Sequence, residues 1–278
     1  MRMRGVLRFF YHPDLPFPGW IKSPPPVCAM ELSRHRNMTS HISEQPMIFQ
    51  KIHSLINRFT PLSKRKSWAL NELDRKLAPY LSFRGGFFIE AGGNDGISQS
   101  NTLYFERYLG WRGLLVEAIP SLAETCKENR PDCIVENCAL VAKEYSKKTI
   151  EIHYRNLMSM VRGGLLNPEE EERFLESGST HLRGEDEPYS IMVPARTLGS
   201  ILNHHRIQRI DLLSLDVEGY EAEVLKGIDF SRHRPEHILL EVRKEEVIVG
   251  LLHPWYREVA VINQSTGYAD KLYKRVAG

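Results

Sequence analysis

The sequence predicts a doubly wound α/β domain, and three observations carry that prediction. Short apolar runs alternate with helix-like segments from residue 86 onward. A glycine-dense turn follows directly on the first of those runs. Two strand-like segments, parted by a short polar turn, close the chain. Strand and helix in alternation mean βαβ units, hence a parallel sheet with right-handed crossovers and helices on both faces.

The elements follow in order. Residues 1–46 are rich in proline, with Pro24, Pro25 and Pro26 in a row, and show no period, so a disordered or loosely attached arm is expected. Met30, Met38 and Met47 are alternative starts. Residues 47–84 are expected to form an N-terminal helical extension. There Trp68, Leu70, Leu73, Leu77 and Leu81 approximate one apolar stripe, punctuated by Pro61 and Pro79. The main domain is expected over 85–278. Residues 87–91, 113–117 and 133–137 read as buried strands. Between them, 101–109 reads as a helix stopped by Gly110, and 120–129 as a helix with Pro120 in its first turn. An insertion at about 145–192 interrupts the alternation. It holds an alternating strand from Thr149, a helix start at Asn167-Pro168 followed by acids, and a loop over 178–188 placed where a substrate lid could lie. Alternation then resumes. Thr197 caps a helix, 210–216 is a buried strand, 220–226 a helix stopped by Gly227, and 237–242 a fifth strand. A helix follows over 245–252, and 258–262 with 270–276 form a closing antiparallel hairpin.

Composition narrows the classes. With 42% hydrophobic and 26% charged residues, the chain fits neither the disordered nor the membrane class, and no apolar run approaches a spanning helix. The net charge of +2 gives no ground for nucleic-acid binding, and Lys64-Arg65-Lys66 is the one tight basic cluster. Cys28, Cys126, Cys133 and Cys138 show no zinc spacing and are expected to be reduced thiols in a cytoplasmic protein. The N-terminal Met-Arg-Met-Arg is followed by prolines that break any apolar core of a signal peptide, so none is expected.

In an open parallel sheet, ligands bind beyond the carboxyl ends of the strands. Those ends carry Glu90, Gly92, Gly93, Asn94, Asp95 and Gly96 on strand one and Glu117 on strand two. Strand three ends in Asn137, Cys138 and Ala139, strand four in Asp216 and Glu218, and strand five in Glu241. The rim is acidic. A dinucleotide would need G-x-G-x-x-G spacing and a phosphate cradle, and Asp95 would repel phosphate. S-adenosylmethionine has no phosphate. Its sulfonium and ammonium suit acids, its carboxylate can be taken by loop amides, and its ribose hydroxyls suit Glu117 as a shared acceptor. Asp95 could instead cap a helix, and Glu241 could instead pair with Arg243 or Arg196. Asp216 and Glu218 are candidate catalytic bases, with His153 and His181 as candidate partners. A divalent metal on Asp216 and Glu218 is chemically allowed but not favoured, because two acids on one loop are not a full ligand set.

Four segments in order, 88–96, 113–120, 193–198 and 211–227, resemble the FkbM family of methyltransferases over about residues 86–276. The most specific is Asp216-Val-Glu-Gly-Tyr with its following helix. The resemblance implies a class I methyltransferase (Rossmann-like) fold with a seven-stranded, mostly parallel sheet whose last strand is antiparallel. It also implies S-adenosylmethionine as cofactor and O-methylation of a sugar, glycan or natural-product hydroxyl. The chain departs from the family's common pattern with Gly93 in place of Ala, and with Ala118-Ile119 in place of Pro-Asn. Two other readings compete: a non-catalytic methyltransferase-like interaction domain, and a nucleotide-dependent oxidoreductase. Binding without transfer would keep the glycine loop and lose the acid pair; both are present here.

Overall fold

The computed structural model describes residues 66–155, 159–161 and 187–276. The proline-rich arm, Lys64-Arg65, the helix start at Asn167, His181 and most of the 178–188 loop lie outside these residues.

A seven-stranded sheet is built from β1 (Phe87–Ala91), β2 (Arg112–Glu117), β3 (Ile134–Asn137), β8 (Leu212–Leu215), β9 (His237–Val242), β10 (Tyr256–Gln264) and β11 (Ala269–Arg275). Its order is β10-β11-β9-β8-β1-β2-β3. Every pairing is parallel except those of β11 with β9 and β10. The chain enters at β1, winds one way to β3 and the other way from β8, so the order reverses between β1 and β8. That reversal opens a crevice at the strand ends.

The central strands are apolar throughout because both faces are covered. Ile89, Leu114, Leu213, Ile238 and Leu240 pack against α4 (Leu198–His204), α5 (Glu221–Lys226) and α6 (Glu245–Leu252). Their neighbours Phe88, Leu115, Leu212 and Leu239 pack the opposite way, against α1 (Leu73–Leu77) and α2 (Leu103–Leu109). The helix α3 (Pro120–Asn129) follows β2 with proline at its start, and Gly110 ends α2 in the left-handed region. Thr197 caps α4 by accepting from the Ser200 amide.

Two expectations change. The stripe from Trp68 to Leu81 is not one helix. Residues 66–69 are not helical, Leu70–Glu72 form a 3₁₀ turn with Asn71 and Glu72 at positive φ, and only then does α1 begin. The buried Asp74 carboxylate accepts from the amides of Trp68, Ala69 and Arg75 and from the Ser67 hydroxyl. These side-chain to backbone bonds compete with helix and fold the preceding segment back. Leu73, Leu77 and Leu81 are buried, whereas Leu70 is 50% exposed. The second change is a second sheet, in the order β4-β7-β5-β6, where sequence showed one strand and an excursion. It comprises β4 (Ala139–Leu140), β5 (Thr149–Tyr154), β6 (Met160–Val161) and β7 (Tyr189–Arg196). Ile150, Ile152 and Tyr154 on β5 point into a small core with Ile119, Ala139, Val141 and Val193. One residue, Cys138, separates the last strand residue of the main sheet from the first of the second.

Arg130, at the end of α3, is fully buried. Its Nε donates to Glu106 at 2.5 Å, one terminal nitrogen donates to the Gly96 carbonyl at 2.9 Å, and that nitrogen stands 3.9 Å from the Glu90 carboxylate. Removing one member of such a group leaves an uncompensated buried charge, worth about 3–5 kcal/mol. Arg130→Ala is therefore expected to lower stability by about that amount in urea unfolding at neutral pH. Adding Glu90→Gln should recover part of the loss, and an additive or harmless double variant would contradict the assignment.

Candidate functional site

The glycine-dense turn is held in place from several sides. Gly92 has φ +84°, and a Cβ there would collide with the carbonyl oxygen of Asp216. Gly96 has φ +81°, with the Arg130 side chain 2.9 Å from where its Cβ would be. The amides of Gly92 and Gly93 both donate to the Val116 carbonyl, and that of Gly96 to Gly93. Asp95 accepts from the amides of Ile97 and Ser98 and from the Ser98 hydroxyl, so it caps a turn rather than a helix. The amide of Asn94 donates to Glu117 at 2.8 Å. The loop amides are thus largely committed within the protein, against the expectation that they are available for a ligand carboxylate.

A cleft lies at the reversal point, at the carboxyl ends of the parallel strands. Gly92, Asn94, Glu117, Cys138, Ala139, Asp216 and Glu218 line it, as the sequence suggested. Glu90, Gly93, Asp95, Gly96 and Asn137 do not. Glu90 is buried and accepts from Ser100, Asn101 and Thr102, organising the loop rather than facing the cleft. Gly93 packs on Leu115. Asn137 donates to the carbonyls of Glu117 and Ala118, fixing the chain as it leaves β2. Sequence reasoning missed Gln99, Leu122, Ile152, Val161 and Tyr220 in the lining. Tyr220 was within reach, since it follows the Asp216-Val-Glu-Gly run. The others are joined to the cleft only by the tertiary fold.

The lining is sorted by chemistry. Ala118, Ile119, Leu122, Ala139, Leu140, Ile152 and Val161 make an apolar half, bordered by Cys138, whose thiol burial pushes up to about 12. The other half carries Glu117, Asp216 and Glu218, and no lysine or arginine is among the lining residues. Glu117 accepts from Asn94 and Ile119, and burial, outweighing those bonds, pushes its carboxyl up to about 7. Asp216 is open to the cleft yet surrounded by protein. Desolvation first, then the charges of Glu221, Asp270 and Glu90, push its carboxyl up to about 7. Its side chain makes no hydrogen bond among the described residues. Glu218, with φ 53°, is also raised by burial and by Asp216, and stands 3.5 Å from Arg243. Glu241 does pair with Arg243, at 2.6 Å, and Arg196 pairs instead with Glu136. Asp216 and Glu218 belong to no cluster of three or more metal-ligating atoms among the described residues. His153 bonds Ser190 on the second sheet and does not line the cleft.

Residues 90–258 match the methyltransferase FkbM domain, more than half of the chain. The chain belongs to the FkbM methyltransferase family. It is an S-adenosylmethionine-dependent methyltransferase with the Rossmann-like class I fold, and its sheet order and single antiparallel turnback are those of that fold. No curated protein matches it. Solved structures are distantly similar. A TehB-like methyltransferase from Corynebacterium glutamicum is 9% identical over 83% of this chain and 100% of its own, with a TM-score of 0.40. A putative methyltransferase from Escherichia coli is 11% identical over 78% and 92%, with a TM-score of 0.41. The 1,6-didemethyltoxoflavin-N1-methyltransferase of Burkholderia thailandensis is 10% identical over 87% and 94%, with a TM-score of 0.38. Family membership stands on the sequence match. Among the described residues no helix is long and apolar enough to cross a membrane.

The raised carboxyls have a consequence for stability. An acid whose pKa is higher in the fold keeps a proton that the unfolded chain has released, so stability falls as pH rises through the folded value. Glu117 and Asp216 at about 7 and Glu241 at about 8 place that fall near neutrality. The buried His233 and His237, both lowered by burial, act oppositely only at lower pH. The ligand-free melting temperature is expected to drop between pH 6.5 and 8, and Glu241→Gln to shrink the drop. A flat or rising profile would count against the burial assigned to these acids.

Proposed function

We propose that this methyltransferase acts on a hydroxyl oxygen of a small-molecule or glycan acceptor, with Asp216 receiving the hydroxyl proton. The observation that carries this reading is the Asp216 carboxylate: in the cleft, without a hydrogen bond among the described residues, and pushed up to about 7, where a general base works at neutral pH. The residues suit the cofactor. The apolar half accommodates a purine face. Glu117, its carboxylate oriented by two backbone amides, retains lone pairs for two ribose hydroxyls. Lack of a basic residue in the lining fits a ligand without phosphate. Gln99, whose side chain makes no hydrogen bond among the described residues, is a ready donor to a carboxylate.

Bound S-adenosylmethionine supplies an electrophilic methyl. Asp216 would take the proton of the acceptor hydroxyl onto its carboxylate. Glu218, its carboxyl raised by burial and by Asp216, stands beside Arg243 at the cleft wall and is not the group that takes the proton. The two acids treated alike in sequence thus have different roles. Free thiols at Cys126, Cys133 and Cys138 support action in the cytoplasm.

Asp216→Asn is expected to lower turnover by about 10²–10⁴ with cofactor affinity nearly unchanged, and Glu218→Gln to lower it less. Asp216→Asn with weak cofactor binding and normal turnover at saturation would instead place that residue on the cofactor's ammonium group. Glu117→Ala should weaken cofactor binding roughly ten- to a hundredfold by calorimetry. Because ribose hydroxyls favour the ionised Glu117, affinity in the parent should rise from pH 6 to 8, and Glu117→Gln should shrink that rise.

A further inference from the structure

We infer that Glu136, His204 and His205 form a site for a divalent transition-metal ion, outside the methyl-transfer cleft. One ligand atom from each side chain lies within 4.8 Å of the other two. Glu136 is on β3, His204 is the last residue of α4 and His205 its C-cap, so the fold gathers them across 69 positions of sequence. Two imidazole nitrogens and one carboxylate oxygen are a donor set of three-ligand zinc sites that leave a fourth position open. Nitrogen donors favour zinc, nickel or copper over magnesium and calcium, which take oxygen.

The geometry is close to what an ion needs. His205 Nε2 stands 2.5 Å from Glu136 Oε1. Ligands at about 2.0–2.2 Å from a tetrahedral ion sit roughly 3.3 Å apart, so admitting it asks Glu136 and His205 to part by under about 1 Å and His204 to close in by up to about 1.5 Å. Both sides are held. Arg196 donates to the other carboxylate oxygen, Oε2, at 2.6 Å and leaves Oε1 for the ion. Ligating carboxylates are ordinarily steadied by such bonds. The guanidinium charge weakens the site relative to a free carboxylate, so micromolar rather than tighter binding is expected. On the helix side, α4 ends in a closed stop. Ile207 N–H donates to Leu202 at 2.9 Å and Arg206 N–H to Asn203 at 3.2 Å, with Arg206 in the left-handed region at φ 55°. This brackets the two histidines where the helix carbonyls end, a favourable place for a cation.

An ion there would tie β3 to α4 immediately before Asn137, which holds the end of β2, and Cys138 and Ala139, which line the cleft. It would act as a structural clamp beside the cofactor site.

The test is calorimetric titration of the tag-free full chain with zinc ion alone, with magnesium ion run in parallel. Expected are one equivalent of saturable zinc binding, none of magnesium, and a zinc-dependent rise in melting temperature. His204→Ala and Glu136→Gln should each weaken zinc binding by at least about tenfold. Because His204→Ala leaves the Glu136–Arg196 pair intact, it separates ligation from folding, and circular dichroism checks that it folds as the parent does. Zinc bound equally well by His204→Ala, or no saturable zinc binding by the parent, would overturn the inference. Either result leaves the methyl-transfer reading untouched, since neither His204 nor Glu136 lines the cleft.

Discussion

The cleft depends on a buried guanidinium. Arg130 lies between Glu106 and Glu90, and its remaining donors reach the Gly96 carbonyl and the Ser100 and Thr102 hydroxyls. Glu90 in turn gathers Ser100, Asn101 and Thr102. The turn after β1 is thereby pinned at its far end by charge and at its near end by the β2 carbonyl of Val116. A loop that must present a ligand surface without helix or strand to stiffen it needs such anchors, because every backbone group in it wants a partner. Burial holds the Glu90 carboxyl above its usual range despite Arg130, so the anchor rests on full hydrogen bonding rather than on charge alone.

Charge is distributed differently on the far wall. Asp216, Glu218, Glu221, Glu241 and Asp270 crowd the ends of the central strands around Arg243. Glu221 turns inward to cap the amides of Val217 and Gly219, and Asp270 is held by Asn263. Arg243 takes Glu241 and approaches Glu218. Asp216 is the acid left facing the cleft without a hydrogen bond among the described residues. A wall of this kind repels anions and raises the proton affinity of the group that stays open.

The main sheet was legible because its central strands are covered on both faces and therefore read as unbroken apolar runs ending in polar residues. Glu117 and Asp216 could be placed from those strand ends. Other features could not be read. Two-residue strands such as β4 and β6 have no period, and only their partners make them strands. Nor does residue type say which way an acid turns. Glu90 and Asp95 sit beside the same glycines as Asn94, and Asn137 at the end of a neighbouring strand, yet their side chains close the loop and its neighbour instead of facing a ligand. The segment before α1 had helical spacing, but Asp74 drew its amides into side-chain bonds.

The passage through Cys138 has an evolutionary corollary. Asn137 is paired in one sheet and Ala139 in the other, so no slack exists between them. Side chains alternate along a strand, and one residue gained or lost here would exchange the inward and outward faces of β4. Indels should be purged at this junction, while point substitutions that keep side-chain size pass. Lineages diversifying this enzyme would be forced to vary the cleft wall by residue identity, leaving chain length at 137–139 fixed.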